Sequence, residues 1–160
     1  MNRGIHSKPN DGLSNDWLTP PKIIEALGRF DLDPCAHPQQ LYRTATRMIS
    51  PPDDGLAATW SGRVWLNPPY SQVHIWLPKL VESGVGTALL ASRTEVERWF
   101  WPFIWEAADA IMFLRGRLYF HRPDGSTAGN AGYGSVLAAY GRDDVSRLRH
   151  SGIEGRFFRL

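Results

Sequence analysis

The chain has 160 residues, 42% of them apolar and 21% charged, with a formal net charge of +2. That is a globular composition and about one domain's length, which excludes a disordered chain and leaves no room for two independent cores. No stretch reaches the roughly 18 apolar residues of a membrane helix, the amino terminus lacks the apolar run of a secretory signal, and the single cysteine, Cys35, excludes a disulfide framework or a cysteine-based zinc site; a cytoplasmic location is expected.

Residues 1–15 are polar and rich in Gly, Asn, Pro and Ser, and read as a flexible arm ahead of a single domain over 16–160. Thr19-Pro20-Pro21 then opens a helix to about Leu27, with the threonine as N-cap, proline in the first turn and Gly28 as the stop. Phe30 to Asp33 is a short strand ended by Pro34. Residues 39–47 read as a weak helix, Met48-Ile49 as a strand, and Pro51 to Gly55 as a turn. Arg63 to Leu66 is a strand stopped by Asn67-Pro68-Pro69-Tyr70, and the spacing of Val73, Trp76, Leu77, Leu80 and Val81 predicts a helix over 73–83. Gly84-Val85-Gly86 caps that helix, and Thr87 to Ala91 is a buried strand. A helix over 95–107 carries Trp99, Phe100, Trp101, Phe103 and Trp105, mostly as core, with a kink or break at Pro102. Ala110 to Leu114 is another buried strand. Leu118–His121 and Ser135–Tyr140 read as a closing antiparallel hairpin, followed by a short helix near 143–150 and a strand at 156–159. Strands alternating with helices predict an α/β fold with a mixed, mostly parallel sheet.

In an open α/β sheet, ligands bind at the carboxyl ends of the strands. Three such ends carry unusual residues: Asp33-Pro34-Cys35-Ala36, Asp54-Gly55 and Asn67-Pro68-Pro69-Tyr70. The last is the most specific. Its two prolines have no N–H and keep the residue before them extended, so the carbonyls there stay out of a helix ladder and are free to face a cleft. The Asn67 side-chain oxygen and the Pro68 carbonyl then make a pair of acceptors suited to an amino group with two N–H donors. The Tyr70 ring can stack on the heterocycle bearing that amine. The alternative is a Pro-rich turn that merely ends a strand.

The tetrapeptide resembles the catalytic loop of S-adenosylmethionine-dependent amino-group DNA methyltransferases. The resemblance extends to Asp16-Trp17-Leu18-Thr19-Pro20-Pro21, to Phe30 through Ala36, to Ser92-Arg93-Thr94-Glu95 with Trp99-Phe100, to Phe113 through Arg117, and to Gly134-Ser135. Over residues 14–141 it is a resemblance to the small phage-type, Dam-like adenine methyltransferases. It implies a Rossmann-like methyltransferase domain whose cofactor is S-adenosylmethionine. Thr19, Asp33, Pro34 and Cys35 would lie beside the donor's methionine portion, and Asp54 would accept from its adenine amino group. Asn67, Pro68, Pro69 and Tyr70 would form the catalytic loop. Most such enzymes carry a glycine-rich turn after the first strand, and Asp33 to Pro38 contains no glycine.

The arginines concentrate late in the chain. Arg115, Arg117 and Arg122, with Tyr119 and Phe120 between them, are the nucleic-acid-binding candidates: phosphate contacts plus an aromatic against the target base. A solvated basic face is the competing reading. Pro34-Cys35 also occurs in cytosine ring-carbon methyltransferases, but the surrounding pattern is absent, and a core or cleft-lining cysteine is expected. His37, His74 and His121 lack zinc-ligand spacing, and no metal is expected. The expected partner is double-stranded DNA, with no membrane. No separate recognition domain is visible, so target specificity must come from loops or from a second subunit, as in a homodimer. A role in restriction-modification and a phage or prophage origin follow from the resemblance alone. Two other functions fit the same residues: methylation of a protein glutamine amide, and an inactive DNA- or partner-binding module.

Overall fold

Short apolar runs bounded by Gly, Pro and Asp become strands in this chain, and the longer apolar periods become helices. The structure, a computed structural model, describes residues 17–130 and 132–160; the arm expected over 1–15 lies outside the described residues. In chain order the main elements are α1 (Pro21–Leu27), β1 (Phe30–Asp33), β2 (Ala45–Met48), β3 (Val64–Leu66), α2 (Val73–Ser83), β4 (Gly86–Ala91), α3 (Glu97–Phe100), β5 (Ala110–Leu114), β6 (Tyr119–His121), β7 (Thr127–Asn130), β8 (Ser135–Tyr140), α4 (Arg142–Arg149) and β9 (Gly155–Arg159).

Seven strands form one sheet in the order β2-β1-β3-β4-β8-β5-β9. β2, β1, β3 and β4 pair in parallel, whereas β8 runs antiparallel to both β4 and β5, and β9 runs antiparallel to β5 at the edge. This is the expected α/β fold with a mixed, mostly parallel sheet. Both faces are covered, as a largely parallel sheet requires. Successive side chains alternate between the faces: Val64 and Leu66 pack under α2 and α3 with Leu77, Leu80 and Phe100, while Trp65 and Leu89 pack on the α1 and α4 side with Leu27 and Leu148.

Four sequence expectations are corrected. Residues 39–47 are not a helix: Ala45 to Met48 is strand β2, in register with β1 through Phe30–Ala45, Leu32–Arg47 and Asp33–Met48. The paired edge of β1 outweighs the segment's weak helical propensity. Leu118–His121 does not pair with Ser135–Tyr140. β6 pairs with β7 in a separate two-stranded sheet, and β8 inserts between β4 and β5, where all six of its residues are buried. Asp54-Gly55 is not at a strand end but within the long loop after β2. Thr19 is not the helix cap: Pro20 occupies that position without a side-chain bond, and the Ile23 N–H is held by the Pro20 carbonyl at 3.0 Å.

Pro102 does split the aromatic helix. α3 ends at Phe100 and passes into a π-turn over Trp101–Trp105, because proline lacks the N–H that a regular helical bond needs. Trp99 and Phe100 are buried, Phe103 and Trp105 are half-buried, and Trp101 is 52% exposed. Gly84 caps α2 in the left-handed conformation, φ 70°, as its position predicts.

Candidate active site

The carboxyl ends of β1, β3, β4 and β5 meet one edge of the sheet, and each is followed by a loop with polar residues. From β1 the chain crosses to β2 on one side and returns to β3 on the other, which makes the gap between the β1 and β3 ends a topological switch point. A cleft of about 730 Å³ lies there. It brings together Thr19, Asp33, Pro34, Cys35 and Asp54 with Asn67, Pro68, Pro69 and Tyr70, residues spread over more than a quarter of the sequence. Phe120 also lines it.

Asp33 ends β1 and is 4% exposed. Its carboxylate accepts from the Thr44 hydroxyl and, at 3.1 Å, from the Cys35 N–H. Burial pushes its pKa up to about 6, against the lowering effect of those two donors. Among the described residues no cation pairs with it, so the site holds a buried carboxylate without a counter-charge. Burial, and then the neighbouring Asp33 charge, push the Cys35 thiol up to about 12. It therefore stays protonated at neutral pH and donates to the Asn67 main-chain carbonyl at 3.6 Å. A thiol held in that state is a poor nucleophile, in keeping with a cleft-lining cysteine.

The catalytic-loop candidate is organised by what its polar groups already bind. The Asn67 carbonyl accepts from Cys35, and the Pro69 carbonyl accepts from the Gln72 N–H at 2.8 Å. The Asn67 side-chain amide donates to the Thr19 hydroxyl at 3.1 Å and to the Trp17 carbonyl at 3.4 Å. Two acceptors are left over: among the described residues nothing donates to the Asn67 side-chain oxygen or to the Pro68 carbonyl. The Pro68 carbonyl is thus the main-chain acceptor the double proline leaves free, and the Asn67 side-chain oxygen is left because both amide hydrogens are engaged. Tyr70 follows at the start of a 3₁₀ turn, Tyr70–Gln72, and is 39% exposed at the cleft. Burial raises its hydroxyl pKa, which keeps the ring neutral.

Asp54 is exposed, and one carboxylate oxygen accepts from the N–H groups of Leu56 at 2.8 Å and Ala57 at 3.3 Å, a local turn. Lys79 of α2 anchors this loop from below by donating to the Leu56 and Ala58 carbonyls, the latter at 2.6 Å. The Trp60 indole donates to the Gly55 carbonyl at 2.8 Å.

Sequence reasoning missed Gly55. A Cβ there would lie 1.7 Å from the Pro34 carbonyl oxygen, so the loop after β2 closes on the loop after β1 only with glycine at this position. The acid-glycine pair in a Pro-rich segment was the one available signal. Thr44 was also missed, because nothing in a polar segment marks the hydroxyl that reaches Asp33.

The nucleic-acid candidates separate. Arg115 and Arg117 follow β5 at the same sheet edge, and Tyr119 and Arg122 lie on β6 and just past it; all four are exposed. Arg115 faces Glu154 at 3.8 Å, with both side chains in solvent. Phe120 is 1% exposed and packs edge-to-face on Trp17 at 5.5 Å. It belongs to the cleft wall, not to the surface. Arg93, after β4, lies over the Tyr133 ring at 4.7 Å on the same edge.

A mixed seven-stranded sheet with a cleft at its switch point and β8 inserted antiparallel between β4 and β5 is an α/β domain consistent with the methyltransferase-like class. The chain belongs to the DNA N-6-adenine-methyltransferase (Dam) family, whose profile matches residues 6–143. It is 32% identical over 78 residues to a DNA N-6-adenine-methyltransferase of Escherichia phage T1; the match covers 45% of this chain and 32% of that protein, so the chain spans about a third of the relative's length.

Proposed function

We propose that this protein transfers a methyl group from S-adenosylmethionine to the exocyclic amino group of adenine in double-stranded DNA, with the base turned out of the helix into the cleft. The observation that carries the reading is the pair of acceptors at Asn67 and Pro68 that have no partner among the described residues, in a chain of the Dam family. The cleft residues fit the cofactor. Asp33 offers a buried carboxylate without a counter-charge to an ammonium group, and the volume is in the range of small-molecule sites.

When bound, S-adenosylmethionine supplies an electrophilic methyl on a sulfonium. The residues of the chain do the rest. Asp33 would hold the amino-acid arm, flanked by Pro34 and Cys35, with Thr19 near its carboxylate. Asp54 would accept from the adenine amino group of the donor with the oxygen its own turn does not use. An adenine amine is a weak nucleophile because its lone pair is delocalised into the ring. Asn67 Oδ1 and the Pro68 carbonyl would accept its two N–H groups, favour a tetrahedral nitrogen, and stabilise the positive charge that develops as the N–C bond forms and the C–S bond breaks to leave a neutral thioether; the methylated amine would then lose one proton to solvent. This is positional and electrostatic catalysis. Tyr70 stacks on the base once it has left the duplex, and Phe120 backs the same pocket. Arg115, Arg117, Tyr119 and Arg122 would meet the DNA around the cleft mouth. On this reading the protein works in the cytoplasm of a bacterial host, and protection within a restriction-modification system is one role that fits.

The test is transfer from isotopically labelled S-adenosylmethionine to duplex DNA, followed by mapping of the modified bases. Label in N6-methyladenine is the expected result. Label on a protein glutamine, or donor-independent DNA binding with no transfer, would replace this reading with one of the two alternatives.

A further inference from the structure

The segment before α1 reaches the catalytic-loop candidate in an unexpected way. Thr19 is 2% exposed and caps nothing, although it stands just ahead of the helix. Its hydroxyl oxygen instead accepts from Asn67 Nδ2 at 3.1 Å, and the Trp17 carbonyl takes the other amide hydrogen at 3.4 Å. A primary amide has two donors on one side and one oxygen on the other. With both donors engaged, the plane of the Asn67 amide is fixed, and its oxygen is the atom left to act.

The two gripping residues are themselves held. Leu18, between them, exchanges both main-chain hydrogen bonds with His121 of β6, at 2.9 and 3.0 Å. Leu18 is 1% exposed, and the Trp17 ring packs on Phe120. The strap is therefore anchored to the hairpin rather than free to follow the amide.

We infer that Thr19 is a positioning residue for the methyl-transfer step: its hydroxyl orients the Asn67 side chain so that Oδ1, not Nδ2, meets the reacting amine. This rests on the proposed role of Asn67. It deepens that role, because a flipped amide would present donors to a donor and repel the substrate. The Thr19 hydroxyl hydrogen remains available to a carboxylate, so the role adds to any contact with the methyl donor.

Thr19→Val keeps the shape and removes the acceptor; Thr19→Ser keeps the acceptor. In single-turnover methyl transfer at saturating donor, Thr19→Val should lose about tenfold to a hundredfold in rate, over and above any loss of donor affinity and with KM for DNA little changed, as expected for a group misplaced at the reacting centre. Thr19→Ser should restore most of the rate. In an Asn67→Ala background the valine substitution should cost nothing further, because its effect acts through Asn67. An unchanged rate in Thr19→Val, a loss confined to donor affinity, or a full additional loss in the Asn67→Ala background would overturn the inference.

A second readout is independent of activity. The Asn67 side-chain NH₂ resonances, identified by their disappearance in Asn67→Ala, should shift and lose exchange protection in Thr19→Val but not in Thr19→Ser. Unmoved resonances contradict the positioning role even if the wild-type protein transfers no methyl, whereas absence of transfer with the shift present contradicts only the proposed function.

Discussion

On the proposed reading, Asp33 couples stability to donor binding. Burial holds its pKa near 6, above the unfolded value of 3.8, so ionisation is disfavoured in the folded, ligand-free protein. The stabilising contribution of the protonated form is complete below 3.8 and is lost as pH rises through about 6. Two consequences follow. Asp33→Asn should raise the melting temperature of the ligand-free protein at pH 8 by several degrees, since it removes an uncompensated buried charge, while weakening S-adenosylmethionine binding. In the wild type, donor affinity should rise with pH through about 6, and in the asparagine variant it should be flat over that interval. Thermal denaturation at pH 8 checks the first and calorimetric titration over pH 5–8 the second; an asparagine variant that is less stable and binds the donor normally contradicts the account. Tyr70 makes a separate claim at the same scale. If its ring stacks on the target base, Tyr70→Phe keeps nearly full transfer and Tyr70→Ala loses about 1–3 kcal/mol of base stacking. Equal damage in both variants, read in KM for DNA, would assign the role to the hydroxyl.

Among the elements, the amino-terminal edge of the sheet is fastened by a buried cluster with no part in the cleft. The Arg63 guanidinium, just before β3, bonds Asp144 of α4 at 2.8 and 3.2 Å, reaches the Arg29 carbonyl at 2.6 Å and the Leu27 carbonyl at 3.3 Å, and lies over the Phe30 ring at 4.3 Å. The Thr87 hydroxyl of β4 donates to the same carboxylate at 2.8 Å. One ion pair thus joins α1, β1, β3, β4 and α4. Asp144→Ala takes the buried carboxylate from Arg63 and leaves it only the exposed Asp143 carboxylate at 3.6 Å, and should cost about 3 kcal/mol of unfolding free energy. The paired replacement Arg63→Met with Asp144→Leu should cost much less, and folded protein of either kind should bind the methyl donor as the wild type does. Denaturant unfolding measures this, and a single variant as stable as the wild type would show that the cluster is not a fastening. Sequence legibility divides along the same lines. β1, β3, β4, β5 and α2 were legible because their periodicity and their Gly and Pro boundaries are local. β2 was not, because its strand character comes from register with β1 rather than from its own polar residues. The partner of β8 was not legible either: a six-residue strand with five apolar residues after Ser135 fits a hairpin and a central strand equally well, and only burial on both faces decides between them.

At the scale of the whole molecule, a net charge of +2 is too small to hold DNA through a global field, so the proposed DNA binding would have to rest on local positive charge. Arg115, Arg117 and Arg122 are exposed around the sheet edge that carries the cleft. Each phosphate contact adds about −0.9 to the slope of log affinity against log salt. Arg115→Gln and Arg122→Gln should each flatten that slope by about one unit where the residue touches a phosphate, without changing donor affinity. Unchanged slopes would move the DNA to the carboxyl-terminal arginines Arg147, Arg149 and Arg156. The candidate site was legible in its residues but not in its wiring. Asn67 and Pro68 were marked by the double proline, and Asp33 by its strand end. The grip of Trp17 and Thr19 on Asn67, the Thr44 bond to Asp33 and the closure of Gly55 on Pro34 join segments 11 to 50 residues apart, and no local pattern encodes them. The central claim is that the two free acceptors at Asn67 and Pro68 make the amine reactive. Single-turnover methyl transfer by Asn67→Ala, measured at saturating S-adenosylmethionine beside the variant's donor affinity, tests it most directly. The account predicts a rate lower by about 10²–10³-fold with donor affinity retained, as for removal of one donor from an oxyanion hole; a rate within about threefold of the wild type would contradict it.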